Sequence, residues 1–222
     1  MLEKIIEKIQ PLNEEAMAAA QARQNMLTKP AGSMGRLEEL SIQIAGITGK
    51  AIPTINDKVI ITMAGDHGVV TEGVSAYPQE VTPQMVLNFL YDGAAINVLA
   101  KHVGARITFV DMGVAVDMDP HPALINKKIA KGTANMTQGP AMSREDAIKA
   151  IMAGVEVVEA EISKGLDIVG TGDMGIGNTT PSAAIAAALT GIEPAKLAGR
   201  GTGVDDEGLK RKIDAIERAL DV

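Results

Sequence analysis

The 222 residues are enough for one domain of ordinary size, and 46% hydrophobic against 22% charged residues exclude wholesale disorder. Twenty-one Lys and Arg against 28 Asp and Glu leave a net charge of −7, which disfavours attraction to nucleic acid backbones and anionic membranes. The absence of cysteine removes disulfides, thiolate zinc sites and a cysteine nucleophile together, and fits a reducing, cytoplasmic compartment.

In chain order, residues 1–10 (MLEKIIEKIQ) carry charges through their first apolar positions, so they start an amphipathic helix and are neither a signal peptide nor a membrane anchor. The first 50 residues or so are predicted helical and to pack as a separate layer. Within them, 29–36 (KPAGSMGR) is either a loop that closes over an anion or a helix-start turn. Residues 58–64 (KVIITMA), 105–110 (ARITFV) and 166–170 (LDIVG) read as buried parallel strands, each short, apolar and followed at once by glycine-flanked loops. Between the first two, one helix is predicted to open with Thr82 as N-cap and Pro83 at its first position, and to run toward His102. Between the second pair, a capping box at Ser143 and Asp146 starts a helix that stops near Gly165. An Ala-rich helix follows from about Pro181 to Gly191, and a last amphipathic helix begins after Asp205 and Asp206 with Leu209, Ile213, Ile216 and Leu220 on one stripe. The longest apolar runs, such as 183–189, are far short of a membrane span. A β-α-β-α-β alternation of this kind predicts an α/β fold with an open, doubly wound parallel sheet.

Ligands of such sheets bind beyond the carboxyl ends of the strands. Three glycine-flanked polar sequences stand there: AGDHG at 64–68, DMG at 111–113 and GTGDMGIGNTT at 170–180. In the third, Gly172, Gly175 and Gly177 allow close backbone approach, and Thr179 and Thr180 open a helix whose amides and dipole attract a phosphate. Gly170, Gly172 and Gly175 also form a G-x-G-x-x-G pattern with Glu193 about 20 residues on. The glycines continue to Gly177, however, and the helix starts later than a dinucleotide fingerprint requires. Asp66, Asp111 and Asp173 either bind a divalent metal, as in a magnesium-dependent phosphotransferase, or stabilise a cationic transition state, or each fixes its own loop. His67 is read as a loop-fixing hydrogen-bond partner or a catalyst, whereas His102 and His121 receive no role. With two Tyr, two Phe and no Trp, a flat ring would be held mainly by aliphatic and Met side chains, and stacking on single-stranded nucleic acid loses ground.

These residues amount to a family resemblance. KPAGSMGRLEEL at 29–40, AGDHGV at 64–69, EGVSAYPQEVTPQMVLNFL at 72–90, GAAINVLA at 93–100, DMGV at 111–114, NMTQGPAMSREDA at 135–147, GTGDMGIGNTTPSAAI at 170–185 and GRGTGVDDEGL at 199–209 resemble the nicotinate-nucleotide:dimethylbenzimidazole phosphoribosyltransferases of cobalamin lower-ligand synthesis. The motifs span nearly the whole chain in the family's order. The resemblance implies transfer of ribose 5-phosphate from nicotinate mononucleotide to 5,6-dimethylbenzimidazole or a related base, giving α-ribazole 5'-phosphate and nicotinate. It implies a Rossmann-like sheet (residues 51–222) with an N-terminal helical segment of a small domain (residues 1–50), a homodimer, and neither metal nor cofactor.

Carried over by motif, Gly175, Gly177, Asn178, Thr179 and Thr180 hold the 5-phosphate with Gly201 and Gly203 assisting. Ser75, Tyr77, Gln84 and Met85 line the acceptor base, and Asp66, His67 and Asp111 line the site. Asp173 stabilises charge on its floor, where many family members carry the longer Glu. The family continues past the position of Val222, through further strands to a glutamate that acts as general base, and that glutamate has no counterpart here. The chain therefore reads as a fragment, or as a short form or non-catalytic nucleotide-binding subunit completed by a C-terminal half in trans, with weak nucleotide binding and little turnover expected.

Overall fold

The computed structural model describes residues 2–222 and divides into two compact units, one ending at Asn56 and the other Asp57–Val222. Met1, the first residue of the expected N-terminal helix, lies outside the described residues. The first unit holds α1 (Leu2–Ile6), α2 (Glu14–Met26) and α3 (Arg36–Thr48). Asn13 caps α2 by accepting from the Ala16 amide at 2.8 Å. The Asn13 amide donates to Gly46 O near the end of α3, while Gln24 near the end of α2 donates to Ser41 Oγ at 2.7 Å, so the two helices run antiparallel. Gly46 makes the close approach possible, because a Cβ there would stand 2.7 Å from the Met17 side chain. The 29–36 segment is a helix-start turn: Lys29 pairs with Glu38 at 2.6 Å, and the Glu38 carboxylate also accepts from the Met34 amide.

The second unit is built on a four-stranded parallel sheet in the order β3-β2-β1-β4. Its strands are β1 (Lys58–Gly65), β2 (Arg106–Gly113), β3 (Leu124–Asn126) and β4 (Ile168–Met174). Its helices are α4 (Val81–Leu90), α5 (Ala95–His102), α6 (Arg144–Ser163), α7 (Thr179–Thr190), α8 (Pro194–Leu197) and α9 (Asp206–Leu220). Alternation along the strands sends Val59, Ile61 and Val110 onto Val157 of α6. Ala64 and Phe109 point the other way, onto Val86 of α4 and the Phe89 ring, which stacks on Phe109 with centroids 5.2 Å apart. Each fully buried Val or Ile contributes about 1.5 to 3 kcal/mol, so both helical layers are held chiefly by this burial. Consecutive strands move outward from β1 to β2 to β3, and then the chain returns to place β4 on the other side of β1. That reversal is a topological switch point, where the strand ends leave a crevice.

Several sequence expectations are corrected. The helix predicted from Thr82 to His102 is two helices: Asp92 adopts a positive φ of 59° and Gly93 follows, breaking the run between Leu90 and Ala95. Thr82 is not the cap. It is fully buried inside α4, and its hydroxyl accepts from the Ile176 amide at 3.0 Å. The strands run further than local composition implies, because β4 pairs with β1 through Ala64↔Met174 and thereby takes up Thr171, Gly172 and Asp173, which lie beyond the strand predicted to end at Gly170. Nor is β4 buried: it pairs on one side with β1, and Ile168 and Val169 are 46% and 39% exposed. The three-residue β3 and the single-turn α8 carried too little periodicity to read. Ser143 does cap α6, accepting from the Asp146 amide at 3.0 Å, and α9 begins at Asp206 with Asp205 as its cap. Among the described residues no helix is long and apolar enough to cross a membrane.

Candidate functional site

At the switch point the ends of β1 and β4 touch. A Cβ on Gly175 would stand 2.0 Å from Gly65 O and 2.8 Å from His67 Nε2, so only glycine lets the chain pass there. Two residues on, Gly177 has φ +82°, a left-handed conformation, and a Cβ there would meet Val70 at 2.7 Å. The loop closes on two turns, with the Asn178 amide donating to Gly175 O and the Thr180 amide to Gly177 O, both at 2.9 Å. It then enters α7, whose positive dipole end faces the same space.

That space is a cavity of about 160 Å³ lined by Ser75, Gly175, Gly177, Asn178, Thr179, Gly201 and Lys212, among others. Lys212 is its notable member. It comes from the middle of α9 and is 1% exposed. Its Nζ donates to Thr179 Oγ1 at 2.7 Å and to Gly199 O at 2.9 Å. Among the described residues no carboxylate pairs with it, and burial holds its pKa below the ordinary lysine value. Gly201, with φ +56°, wraps the ammonium so closely that a Cβ would lie 3.1 Å from Nζ. A buried ammonium, a glycine loop and a helix N-terminus surround one small cavity, and an anion there would supply the charge partner that Lys212 lacks among the described residues.

Sequence reasoning missed Lys212, because a lysine on an amphipathic helix reads as solvent-facing. The signal was its spacing: Lys212 lies four residues from both Gly208 and Ile216, which share the buried face of α9.

A second cavity, about 620 Å³, adjoins the first at Met174, which lines both. Its walls include Met63, Met112, Ile129, Met142 and Ile151, and its polar groups are Asp66, His67, Thr133, Asp146 and Asp173. Asp66 is 2% exposed; its Oδ2 accepts from the Ala115 amide at 2.7 Å, and Oδ1 has no hydrogen-bond partner among the described residues. His67 stands against the Gly175 backbone. Burial pushes its pKa below the ordinary histidine value, although the Asp173 and Asp66 carboxylates pull it upward. Asp173 projects from the end of β4, and its Oδ2 accepts from Asn178 Nδ2 at 2.6 Å.

Most of the remaining expected residues fall elsewhere. Asp111 is buried, but its carboxylate accepts from the Gly113 and Val114 amides and pairs with Lys128 at 3.1 Å, so it serves its own loop. Among the described residues no three acidic, His or Cys side chains stand together as a cation site, so Asp66, Asp111 and Asp173 do not converge. Thr180 is fully buried, its hydroxyl has no hydrogen-bond partner among the described residues, and neither it nor Gly203 lines the small cavity. Of the base-binding set, Ser75 lines the small cavity and its hydroxyl accepts from the Tyr77 amide. Tyr77 is half exposed, Gln84 is exposed, and Met85 packs against the Phe89 and Phe109 core.

Comparison with known proteins bears on this geometry. Residues 9–222 match the family model described as "Phosphoribosyltransferase". A protein of Roseiflexus sp. named nicotinate-nucleotide–dimethylbenzimidazole phosphoribosyltransferase is 59% identical over 99% of this chain and 62% of its own length. One of the same name from Chloroflexus aurantiacus is 56% identical over 99% of this chain and 63% of its own. The crystal structure of CobT from Thermus thermophilus superimposes with a TM-score of 0.91 at 48% identity, over 93% of this chain and 62% of that one. The chain thus spans somewhat over three fifths of the length of the relatives it matches.

Proposed function

Because the chain belongs to the nicotinate-nucleotide–dimethylbenzimidazole phosphoribosyltransferase family, we propose that it binds nicotinate mononucleotide by its 5-phosphate in the small cavity and serves transfer of the ribose 5-phosphate to dimethylbenzimidazole or a related base. The observation that carries the reading is Lys212, an ammonium buried without a carboxylate and facing the glycine loop. Phosphate there meets the buried Lys212 charge and the N-terminal end of α7, and the contact to an ammonium shielded from water is stronger than one to a surface lysine.

The ribose then extends toward Met174, where the two cavities adjoin. The bond from the ribose anomeric carbon to the pyridine nitrogen breaks, its electron pair leaving with nicotinate, a ring nitrogen of the acceptor supplies the pair for the new bond, and the proton on the acceptor's other ring nitrogen passes to solvent. Positive charge grows on the sugar between those events. Asp173, which lines the larger cavity next to Met174 in the chain, is a carboxylate placed to oppose it. The apolar walls of the larger cavity suit a flat, uncharged heteroaromatic ring held by Met and Ile side chains. A homodimer and a cytoplasmic setting belong to the same reading.

Calorimetry with nicotinate mononucleotide, ribose 5-phosphate and nicotinate separately is the test. The nucleotide and the sugar phosphate should bind and compete, with nicotinate alone much weaker. Binding of nicotinate with no binding of ribose 5-phosphate would overturn the assignment of the phosphate cavity. Formation of α-ribazole 5'-phosphate on adding dimethylbenzimidazole tests the transfer itself.

A further inference from the structure

Asparagine is among the best residues at a helix N-cap, where its side-chain oxygen accepts from an amide of the first turn. Asn178 occupies that position before α7, yet its backbone is αR (φ −51°, ψ −32°) and its side chain makes no capping bond. The side chain turns back over the glycine loop and donates to Asp173 Oδ2 at 2.6 Å. Among the described residues Asp173 has no lysine or arginine partner, and Asn178 is its hydrogen-bond donor. Asn178 also lines the small cavity, and Asp173 lines the large one. A single residue therefore joins the anion-binding loop to the carboxylate across Met174.

Resting on the phosphoribosyl-transfer reading above, we propose that Asn178 is a positioning residue: its amide fixes the Asp173 carboxylate toward the point where positive charge develops on the sugar, and is not spent on the phosphate. A carboxylate on a short, rotatable side chain stabilises a nearby cation only if its orientation is set beforehand. The Asn178 amide sets it, and because Asn178 N also closes the loop turn onto Gly175 O, orientation is tied to the loop that would grip phosphate.

The test compares two probes by calorimetry on the full chain: ribose 5-phosphate, whose ring is neutral, and an iminoribitol 5-phosphate, whose ring nitrogen carries a proton and mimics the charge on the sugar. The parent should prefer the cationic probe by about tenfold or more, as expected of a resemblance to the transition state. Asn178→Ala should cut that preference to about threefold or less. Asp173→Asn should remove the preference likewise, and the double variant should add no further loss, because the two side chains act as one unit. A purely structural role would weaken both probes in proportion and leave their ratio intact, and that result overturns the proposal. So does a loss of affinity for both probes of about tenfold or more, which would make Asn178 a phosphate ligand. A parent with no preference for the cation refutes the role of the pair but keeps the phosphate site, whereas failure of ribose 5-phosphate to bind at all removes the underlying reading as well.

Discussion

Lys212→Met keeps the length and apolar bulk of the side chain and removes its charge. Without ligand two effects oppose: the buried ammonium costs several kcal/mol of desolvation, and its bonds to Thr179 Oγ1 and Gly199 O return about 1.5 to 3 kcal/mol each. The variant's stability should therefore stay within about 2 kcal/mol of the parent. Ligand separates the two proteins. Losing a buried ammonium opposite a phosphate should cost about 2 to 3 kcal/mol, roughly a 30- to 160-fold rise in Kd. With nicotinate mononucleotide at about one hundred times the parent's Kd, binding stabilises the parent by about 2.7 kcal/mol, and a variant binding about one hundred times more weakly by about 0.4 kcal/mol. At about 2 to 4 °C per kcal/mol for a chain of this size, a ligand-induced rise in Tm of about 5 to 11 °C should fall to about 1 to 2 °C. A Lys212→Met variant that folds and keeps the parent's full ligand shift would refute the reasoning. The charge also has a pH signature. Burial holds the Lys212 pKa below the ordinary 10.5, so the unfolded chain binds the proton more tightly. Raising the pH from the folded value toward 10.5 should stabilise the ligand-free parent relative to Lys212→Met, and weaken its grip on phosphate.

Other predictions follow from the same site. Burial keeps the His67 pKa below the ordinary 6.5, so acidification through that value protonates the unfolded chain first and destabilises the fold. Between about pH 7.5 and 5.5 the parent should lose more stability to urea than His67→Asn, and equal losses would contradict the burial argument. Gly175→Ala places a Cβ 2.0 Å from Gly65 O and should cost about 3 kcal/mol or more together with ribose 5-phosphate binding. Gly139→Ala meets nothing within 4 Å and should be close to neutral, and similar midpoints for both variants would refute the close approach. Glu72 ties three segments by accepting from Arg218 at 2.7 Å, Asn135 at 2.6 Å and Thr137 at 3.0 Å, contacts that hold its pKa below the usual carboxylate range. Glu72→Ala should cost about 2 kcal/mol near neutral pH, and the difference should vanish as acid protonates Glu72 in the parent; a difference that persists in acid would point to packing instead.

Much of the architecture was legible in the residues. Apolar runs at 58–64, 105–110 and 166–170 separated by helix-length periodic segments suffice for a parallel α/β sheet, because periodicity and crossover length are local properties. The glycines at 175 and 177 were legible too, since a strand-to-helix turn packed against a neighbouring strand end has no room for other residues. Where β4 ends was not legible. Gly172 has low strand propensity, and the pairing with β1 through Ala64 overrides it and carries the strand past Gly170. The split between α4 and α5 likewise depends on Asp92 accepting a left-handed backbone, where its carboxylate takes a hydrogen bond from Asn97 at 3.1 Å.

The candidate site divides the same way. Residue type and order placed Asn178, Thr179 and Asp173 near one another, since each lies on or beside the glycine turn at the end of β4, whereas Gly201, between α8 and α9, joined them only through the family resemblance. Only the folded chain decided that Asp111 is spent on Lys128, that Asn178 reaches Asp173 instead of capping α7, and that Lys212 is buried facing the loop. Such choices depend on which charges and donors meet across tens of residues of intervening chain. In a low-dielectric interior those meetings, more than any local preference, set the energy of a polar side chain.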